Sequence, residues 1–160
     1  MGEPTCDQRI CEMYADTMLQ IKNLIKPRIH QIGTADDIMM QYEALDGISL
    51  GFDYVSGNTI GIEEPCFRWQ LSWGGPQDEF LFPINRHIYT LDGGGSLRFD
   101  FTAESVTQYW LRDWGDSSHI NLDEENNKIM NSVLRTYGAV GKCFTEFRKG
   151  EGIPVHEEPF

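Results

Sequence analysis

The sequence predicts an α+β domain in which an antiparallel meander sheet of five or six strands packs against two N-terminal helices and one C-terminal helix. Three observations lead to this prediction. Apolar residues recur every three to four positions near both ends of the chain, which is the period of an amphipathic helix. Between residues 48 and 114 the period changes to two, as in a strand with one buried face. The links between these runs are short, and short links join antiparallel neighbours.

Two helices are predicted before the first strand. Residues 5–26 place their apolar side chains on one stripe, with acids early and bases late, as the helix dipole favours. Thr34 can cap the second helix, because its hydroxyl can accept a hydrogen bond from the first turn. In that helix Met39 and Met40 have helical spacing and are predicted to pack in the core, with an adaptable contact surface as the alternative.

Residues 66–82 are the most distinctive stretch and are predicted to form a hairpin. A Gly-Gly-Pro sequence interrupts the extended run, because glycine admits positive φ and proline removes a donor from the strand ladder. Four large apolar residues alternate before the break and would share one face: Phe67, Trp69, Leu71 and Trp73. We interpret this hairpin as the scaffold of the sheet rather than as a site.

The other strands are predicted from the same alternation. They cover residues 48–54, 59–63, 87–91, 96–101 and 106–114. The second of these is a short continuation of the first strand or a partner for it, and a run of three glycines joins the third to the fourth. Residues 116–119, after the last strand, are interpreted as a turn because Asp and Ser favour turns and helix caps.

A third helix is predicted near the C-terminal end. Asn121 and three acids open it, and Gly138 closes it. Its inner side would consist of Leu122, Ile129, Met130, Val133, Leu134 and Tyr137. A single domain is predicted over residues 1–150, with residues 151–160 as a tail.

Composition excludes several classes of protein. The chain has 160 residues, of which 40% are hydrophobic and 24% charged, so it is neither disordered nor membrane-spanning. No basic segment leads into an apolar stretch at the start, so a cytoplasmic location is predicted. The chain has four cysteines, which are expected to be reduced thiols: Cys6, Cys11, Cys66 and Cys143. No zinc-pair spacing occurs among them, and no metal or cofactor is predicted.

The formal net charge of −12 is the strongest compositional signal. No Lys or Arg lies between residues 29 and 67, and a second acidic cluster follows residue 112. Such an excess repels nucleic acid and suits either a solvated surface or a face that meets a basic protein partner. If it is a face, the contact residues are expected to be Asp36, Asp37, Asp113, Asp116, Asp123, Glu124 and Glu125.

Motifs for catalysis are weak. Asp116 and His119 lie in one short cluster with two serines, but neighbours in sequence rarely form a working triad. The four histidines lack metal-ligand spacing, and the glycine run lacks the Lys and helix of a phosphate-binding loop. A hydrolase that uses converging carboxylates or His119 therefore remains an alternative without a motif of its own.

Two segments resemble parts of small acidic proteins encoded by phages and plasmids. Residues 71–80 have the pattern LSxGGPxxxF, and residues 109–116 form an aromatic stretch that ends near Asp113-Trp114. The resemblance spans roughly residues 66–116. It implies a protein of a mobile element, and some small acidic proteins of such elements act as anti-CRISPR or anti-restriction factors, by binding host nucleases or by mimicking DNA.

The sequence thus leads to one principal hypothesis and two alternatives. The principal hypothesis is a non-enzymatic acidic inhibitor whose partner is the basic surface of a nucleic-acid-binding nuclease complex, with no direct contact to nucleic acid or membrane. The alternatives are the small hydrolase and an accessory domain that oligomerises through its Trp-rich sheet.

Overall fold

The computed structural model describes residues 4–25, 35–72, 76–84, 89–91, 97–99 and 106–151. Within these ranges the chain forms four helices and seven strands and is an α+β protein, as predicted. The helices are α1 (Cys6–Ile25), α2 (Ala35–Asp46), α3 (Glu124–Ala139) and α4 (Lys142–Glu151). The strands are β1 (Gly51–Val55), β2 (Cys66–Gln70), β3 (Gln77–Pro83), β4 (Tyr89–Leu91), β5 (Leu97–Phe99), β6 (Gln108–Asp113) and β7 (Asp116–Asn121).

Five of the strands form one antiparallel sheet in the order β1-β2-β3-β6-β7, while β4 and β5 pair separately. The meander prediction is therefore confirmed for the main sheet, with β4 and β5 following β3 as an extra hairpin. In β3, Phe80 lies opposite Trp69 of β2 and Tyr109 of β6. Because side chains alternate along each strand, this register places Trp69, Phe80 and Tyr109 on one face.

The helices cover that aromatic face. α1 packs on β6 and β7, α4 packs on β1, and α2 and α3 lie against each other. The side chains of Trp69 and Tyr137 meet in this layer, where the indole Nε1 donates a hydrogen bond of 2.9 Å to the phenol oxygen. The core formed here includes Ile10, Met18, Ile21, Ile25, Phe67, Phe80, Phe82, Leu111, Met130 and Val133.

A smaller apolar cluster lies on the opposite face of the sheet. It contains Val55, Cys66, Leu81 and Trp110, with Ile60 and Ile62 packed against it. The connection between β1 and β2 supplies both isoleucines, and it consists of turns and bends. The prediction of a strand at residues 59–63 was therefore wrong, because its apolar residues cover the sheet instead of extending it.

Residues 116–119 were predicted as a turn and instead begin strand β7. The turn lies directly before β7, at Trp114 and Gly115, which have φ values of 47° and 83°. Two consecutive positive φ values characterise a two-residue hairpin loop. Pairing with β6 places Ser118 opposite Leu111 and Ile120 opposite Tyr109, so the tertiary partner overrides the weak strand preference of Asp and Ser.

Helix α4 was not predicted. Cys143 and Phe147 are buried one turn apart, and the helix packs against β1. Its last turn comes so close to the sheet that a Cβ on Gly150 would lie 2.1 Å from Cδ1 of Tyr54. The predicted helix α3 was confirmed, although Asn121, predicted to open it, is the last residue of β7. The helix begins at Glu124 after the cap Asp123, and it ends at Ala139 rather than at Gly138.

The core prediction for Met39 and Met40 was wrong, since their side chains are 45% and 56% exposed. Several other predictions lie outside the described residues: the cap at Thr34, the Gly-Gly step after Trp73, the glycine run at 93–95 and the tail beyond Glu151.

Candidate interaction surface

The outward stripes of α1 and α2 combine acids with large apolar side chains. On α1 the exposed positions include Glu12, Asp16 and Leu19, which follow the helical spacing of three and four. Leu19 is 60% exposed. This stripe faces solvent because the buried residues of α1 occupy the opposite side.

Helix α2 repeats the pattern of α1. Asp36, Met39, Met40 and Glu43 are all exposed and recur at spacings of three and four. We call the exposed stripes of the two helices, which pack against each other, the acidic helical surface: Glu12, Asp16, Leu19, Asp36, Met39, Met40 and Glu43. It joins apolar contact area to negative charge.

Positive charge is nearly missing from these two helices. Within their described residues, Arg9 and Lys22 are the only bases, and both are half-buried. Arg9 is already paired, since its Nη2 lies 2.7 Å from Oδ2 of Asp113. The acids of the acidic helical surface therefore have little compensation from their own elements.

Two of the seven acids predicted as contact residues, Asp113 and Asp116, bind residues at the start of α1. They flank the turn between β6 and β7 and face the start of α1. The carboxylate of Asp116 accepts a hydrogen bond of 2.9 Å from the backbone N–H of Cys6. This backbone hydrogen bond is the main reason why the pKa of Asp116 is lowered. The pair fastens the start of α1 to the hairpin.

Three of the predicted acids lie at the start of α3: Asp123, Glu124 and Glu125. The side chain of Asp123 caps the helix by accepting a hydrogen bond of 2.8 Å from the N–H of Asn126. Glu124 lies 3.5 Å from the ammonium of Lys128 on the next turn. All three side chains are exposed, and their negative charge suits the helix N-terminus.

Asp36 and Asp37 occupy the first turn of α2 in the same way. Asp36 is exposed and belongs to the acidic helical surface, whereas Asp37 is half-buried. The structure therefore distributes the predicted contact residues over two helix starts and one hairpin and gathers no single cluster from them.

Two arginines on the far face of the sheet neutralise acids of the sheet itself. Arg68 binds Asp53 through two hydrogen bonds of 3.0 and 2.7 Å. Arg112 lies 3.3 Å from Oε1 of Glu79 and donates a 2.7 Å hydrogen bond to the carbonyl of Ile60. Burial raises the pKa of Glu79, which is 1% exposed. These cations are thus committed to internal partners.

The catalytic alternative at Asp116 and His119 has no support from the geometry. Their side chains project from opposite faces of β7, because the residues are three positions apart on a strand. His119 stacks on Trp110 with 4.4 Å between ring centroids. In the described ranges no group of three or more His, Cys, Asp and Glu residues is arranged to hold a metal ion.

Two of the three tryptophans that the structure describes are enclosed. Trp69 is fully buried under the helices, and Trp110 is 7% exposed beneath the β1–β2 connection. Trp114 is the opposite case, since it is 95% exposed at the tip of the β6–β7 hairpin. An oligomer that forms through a Trp-rich sheet face would need tryptophans that the described structure covers.

Sequence reasoning missed two notable residues, Trp114 and Asp78. Trp114 was assigned to a strand, and the signal for a turn was the glycine that follows it. Asp78 is 5% exposed and accepts a 2.7 Å hydrogen bond from the Tyr109 hydroxyl. Its signal was present in the alternation, because it shares the core face of β3 with Phe80 and Phe82.

No family model, curated protein or solved structure matches this chain. In the described part of the chain, no helix has both the length and the apolar character of a membrane span.

Proposed function

We propose that this protein is a non-enzymatic acidic binding protein of a phage or mobile element that inhibits a host defence nuclease. The observation that carries the proposal is the acidic helical surface, which combines four exposed acids with three exposed large apolar side chains on α1 and α2. Protein interfaces combine an apolar centre, in which Met is enriched, with a polar rim. The exposed methionines fit this description.

The charge of the acidic helical surface indicates the chemistry of the partner. An acidic rim on two helices whose described residues include no exposed base favours a basic protein surface, and electrostatic complementarity accelerates and orients the encounter. Proteins that bind nucleic acid carry such basic surfaces. The net charge of −12 also opposes direct contact with nucleic acid, so the acidic chain would compete with nucleic acid for the basic site.

The step from a basic partner to a defence nuclease depends on the resemblance of residues 66–116 to small acidic proteins of phages and plasmids. These residues form the hairpin β2–β3 and strand β6, which support the helices from beneath. In this proposal they are the scaffold, and the helices make the contact.

The experiment is affinity capture from a bacterial lysate that contains CRISPR and restriction complexes, followed by a cleavage assay with each purified retained complex. We expect a nuclease complex to be retained at low salt, released at high salt, and inhibited in DNA cleavage. Retention of no nucleic-acid-binding complex, or retention without inhibition, would refute the proposal.

Two matched variants locate the contact. The first replaces Glu12 and Glu43 with Gln and Asp16 and Asp36 with Asn, which neutralises the acidic helical surface. The second makes the same change in net charge at four exposed acids elsewhere: Glu63, Glu64, Glu124 and Glu125, each replaced with Gln. We expect the first variant to lose about tenfold or more in affinity and the second to change little. Equal losses would assign the effect to net charge alone.

A further inference from the structure

A cleft of about 300 Å³ opens between α1, the residues that follow α2, and the end of the β2–β3 hairpin. Among the described residues, its lining includes Thr17, Gln20, Ile48, Leu71 and Asp78. The volume is at the lower end of the range for small-ligand sites. Leu71 and Asp78 belong to the stretch 66–82, which is the most distinctive part of the sequence. The proposed function uses this stretch only as scaffold.

The polar feature of this cleft is the carboxylate of Asp78. It is 5% exposed, and its Oδ2 accepts a 2.7 Å hydrogen bond from Tyr109, while its Oδ1 accepts one from the Ser72 hydroxyl. The N–H of Asp78 in turn donates to the Ser72 oxygen at 3.0 Å. Both side-chain donors are neutral hydroxyls, and burial together with Asp78 raises the pKa of Tyr109.

No lysine, arginine or histidine among the described residues forms a salt bridge with Asp78. A buried carboxylate without a cation carries a desolvation cost that two hydroxyls offset only in part. Each carboxylate oxygen can accept more than one hydrogen bond, so the two hydroxyls leave acceptor capacity on Asp78, which lines the cleft. The site is therefore suited to a donor that carries positive charge.

The remaining walls indicate the shape of that donor. Ile48 and Leu71 are half-buried and pack against the main core, so they offer apolar contact to a hydrocarbon stem. Thr17 and Gln20 lie three residues apart on α1 and add polar side chains to the lining, where Thr17 is half-buried and Gln20 is exposed. We propose that this cleft binds an alkylguanidinium or alkylammonium group, with its cationic head on Asp78 and its stem between Ile48 and Leu71.

Such a group has two sources: a free amine or guanidine, and an arginine or lysine side chain of a protein. Both present the same chemistry to the cleft. The inference does not depend on the proposed function, because small probes test it without a partner.

The test is a titration of the full chain with n-butylguanidinium and n-butylammonium, followed by amide NMR, with n-butanol as the neutral control of equal stem length. We expect saturable shifts at the residues that line the cleft with both cations and much smaller ones with n-butanol. Shifts that do not saturate, that n-butanol reproduces, or that concentrate on exposed acids elsewhere would overturn the proposal.

Variants separate charge from folding. Asp78→Asn removes the charge and should weaken both cations by about tenfold or more, as expected for a charge-assisted hydrogen bond. Because Asp78 is buried, its replacement can also disturb the packing of the core, so a second variant is needed. Gln20→Lys introduces an ammonium group that can reach the cleft from an exposed helical position. Its matched control is Asn23→Lys, which makes the same charge change at the next exposed turn of α1. Equal binding by the two lysine variants would overturn the proposal.

A third arm distinguishes the sources. The blocked tripeptide acetyl-Gly-Arg-Gly-amide presents the guanidinium on a peptide, whereas agmatine presents it on a free amine. Tighter binding of the tripeptide supports a protein side chain as the ligand, and tighter binding of agmatine supports a free metabolite. If neither binds while the butyl cations also fail, the cleft has no affinity for this class of ligand.

Discussion

Trp114 shows a conflict between local preference and observed structure. Its φ of 47° lies in the left-handed region, which bulky residues rarely adopt. Its side chain is 95% exposed, so no packing in the described structure compensates for the backbone strain. The hairpin beneath it is nevertheless held in place through Asp113 and Asp116. A strained, exposed tryptophan on a fixed hairpin is a candidate contact for a partner, because Trp is enriched among interface anchors.

We predict that Trp114→Asn stabilises the protein by about 0.5–1 kcal/mol, since asparagine followed by glycine is the preferred pair for this loop. Urea denaturation measures the difference. Trp114→Ala is the control, because alanine removes the ring without favouring positive φ, and it should give no such gain. A less stable asparagine variant would mean that the indole supports the fold.

Tyr137 links three elements through its hydroxyl. The hydroxyl accepts a hydrogen bond of 2.9 Å from Nε1 of Trp69 and donates one of 3.1 Å to Oδ1 of Asp46. It therefore joins β2, α3 and the end of α2. We predict that Tyr137→Phe lowers the free energy of unfolding by about 1–3 kcal/mol, because the buried indole N–H then lacks an acceptor.

Tyr14→Phe is the comparison for that measurement. Tyr14 accepts a single hydrogen bond from Asn126 at a half-buried site. Chemical denaturation of both variants should show the smaller loss for Tyr14→Phe. Equal losses would contradict the assignment of a special role to the buried Trp69 N–H.

At the scale of elements, the start of α1 is held by the β6–β7 hairpin. Arg9 binds Asp113 at 2.7 Å, and the N–H of Cys6 donates to Asp116 at 2.9 Å. The second contact satisfies one of the backbone donors that a helix leaves unpaired at its start. The two contacts connect residues more than 100 positions apart, so they form only when the sheet is complete.

This clamp predicts a specific acid sensitivity. The pKa of Asp116 is lowered in the folded state from its ordinary value of 3.8, so the unfolded chain binds the proton more readily. The stabilisation is therefore complete above pH 3.8 and is lost as the pH falls through the lowered value. We predict that Asp116→Asn loses this part of the acid dependence, measured by urea unfolding at a series of pH values. Asp16→Asn, an exposed change on the same helix, should keep it.

For the whole molecule, the net charge of −12 is a source of self-repulsion. Arg9, Arg68 and Arg112 pair with acids inside the fold, so these three arginines do not compensate the acids of the acidic helical surface. Repulsion of this kind destabilises the compact state, and salt screens it. An arrangement that costs stability is consistent with a surface retained for binding.

We predict that sodium chloride raises the urea midpoint of the wild-type chain, since the Debye length falls from about 10 Å at 0.1 M to about 3 Å at 1 M. The variant with Glu12, Asp16, Asp36 and Glu43 neutralised should be more stable at low salt and respond less to added salt. If both proteins respond equally, these four acids do not contribute to the repulsion.

Local patterns predicted the elements whose periodicity is complete within one segment. The stripes of α1 and α3 and the alternation of Phe67 and Trp69 each predicted an element that the structure confirms. The prediction failed where the pattern was short or polar. Residues 116–121 became a strand because β6 offers them a paired edge, and α4 forms because Cys143 and Phe147 are buried in the fold. Neither partner is visible from the segment alone.

The contact role of the predicted acids stays a prediction, while the structure shows where their side chains lie. Asp36 was expected as a contact residue, and it lies on the acidic helical surface. Asp113 and Asp116 were expected there too, but they bind the start of α1, and Asp123 caps α3. The methionines were expected in the core and are exposed. The reason is that an acid in a sequence has the same appearance whether its partner is solvent, a distant arginine or a backbone N–H.

The sequence by itself determined the class of fold and the sign of the charge, because periodicity and composition are properties of local segments and of sums over the chain. Only the tertiary structure decided which acids bind other residues of the chain and which apolar side chains remain exposed. It also decided that Asp78 lines a cleft. These outcomes depend on contacts between residues far apart in the chain, such as Cys6 with Asp116 and Asp78 with Tyr109. Folding alone brings those residues together.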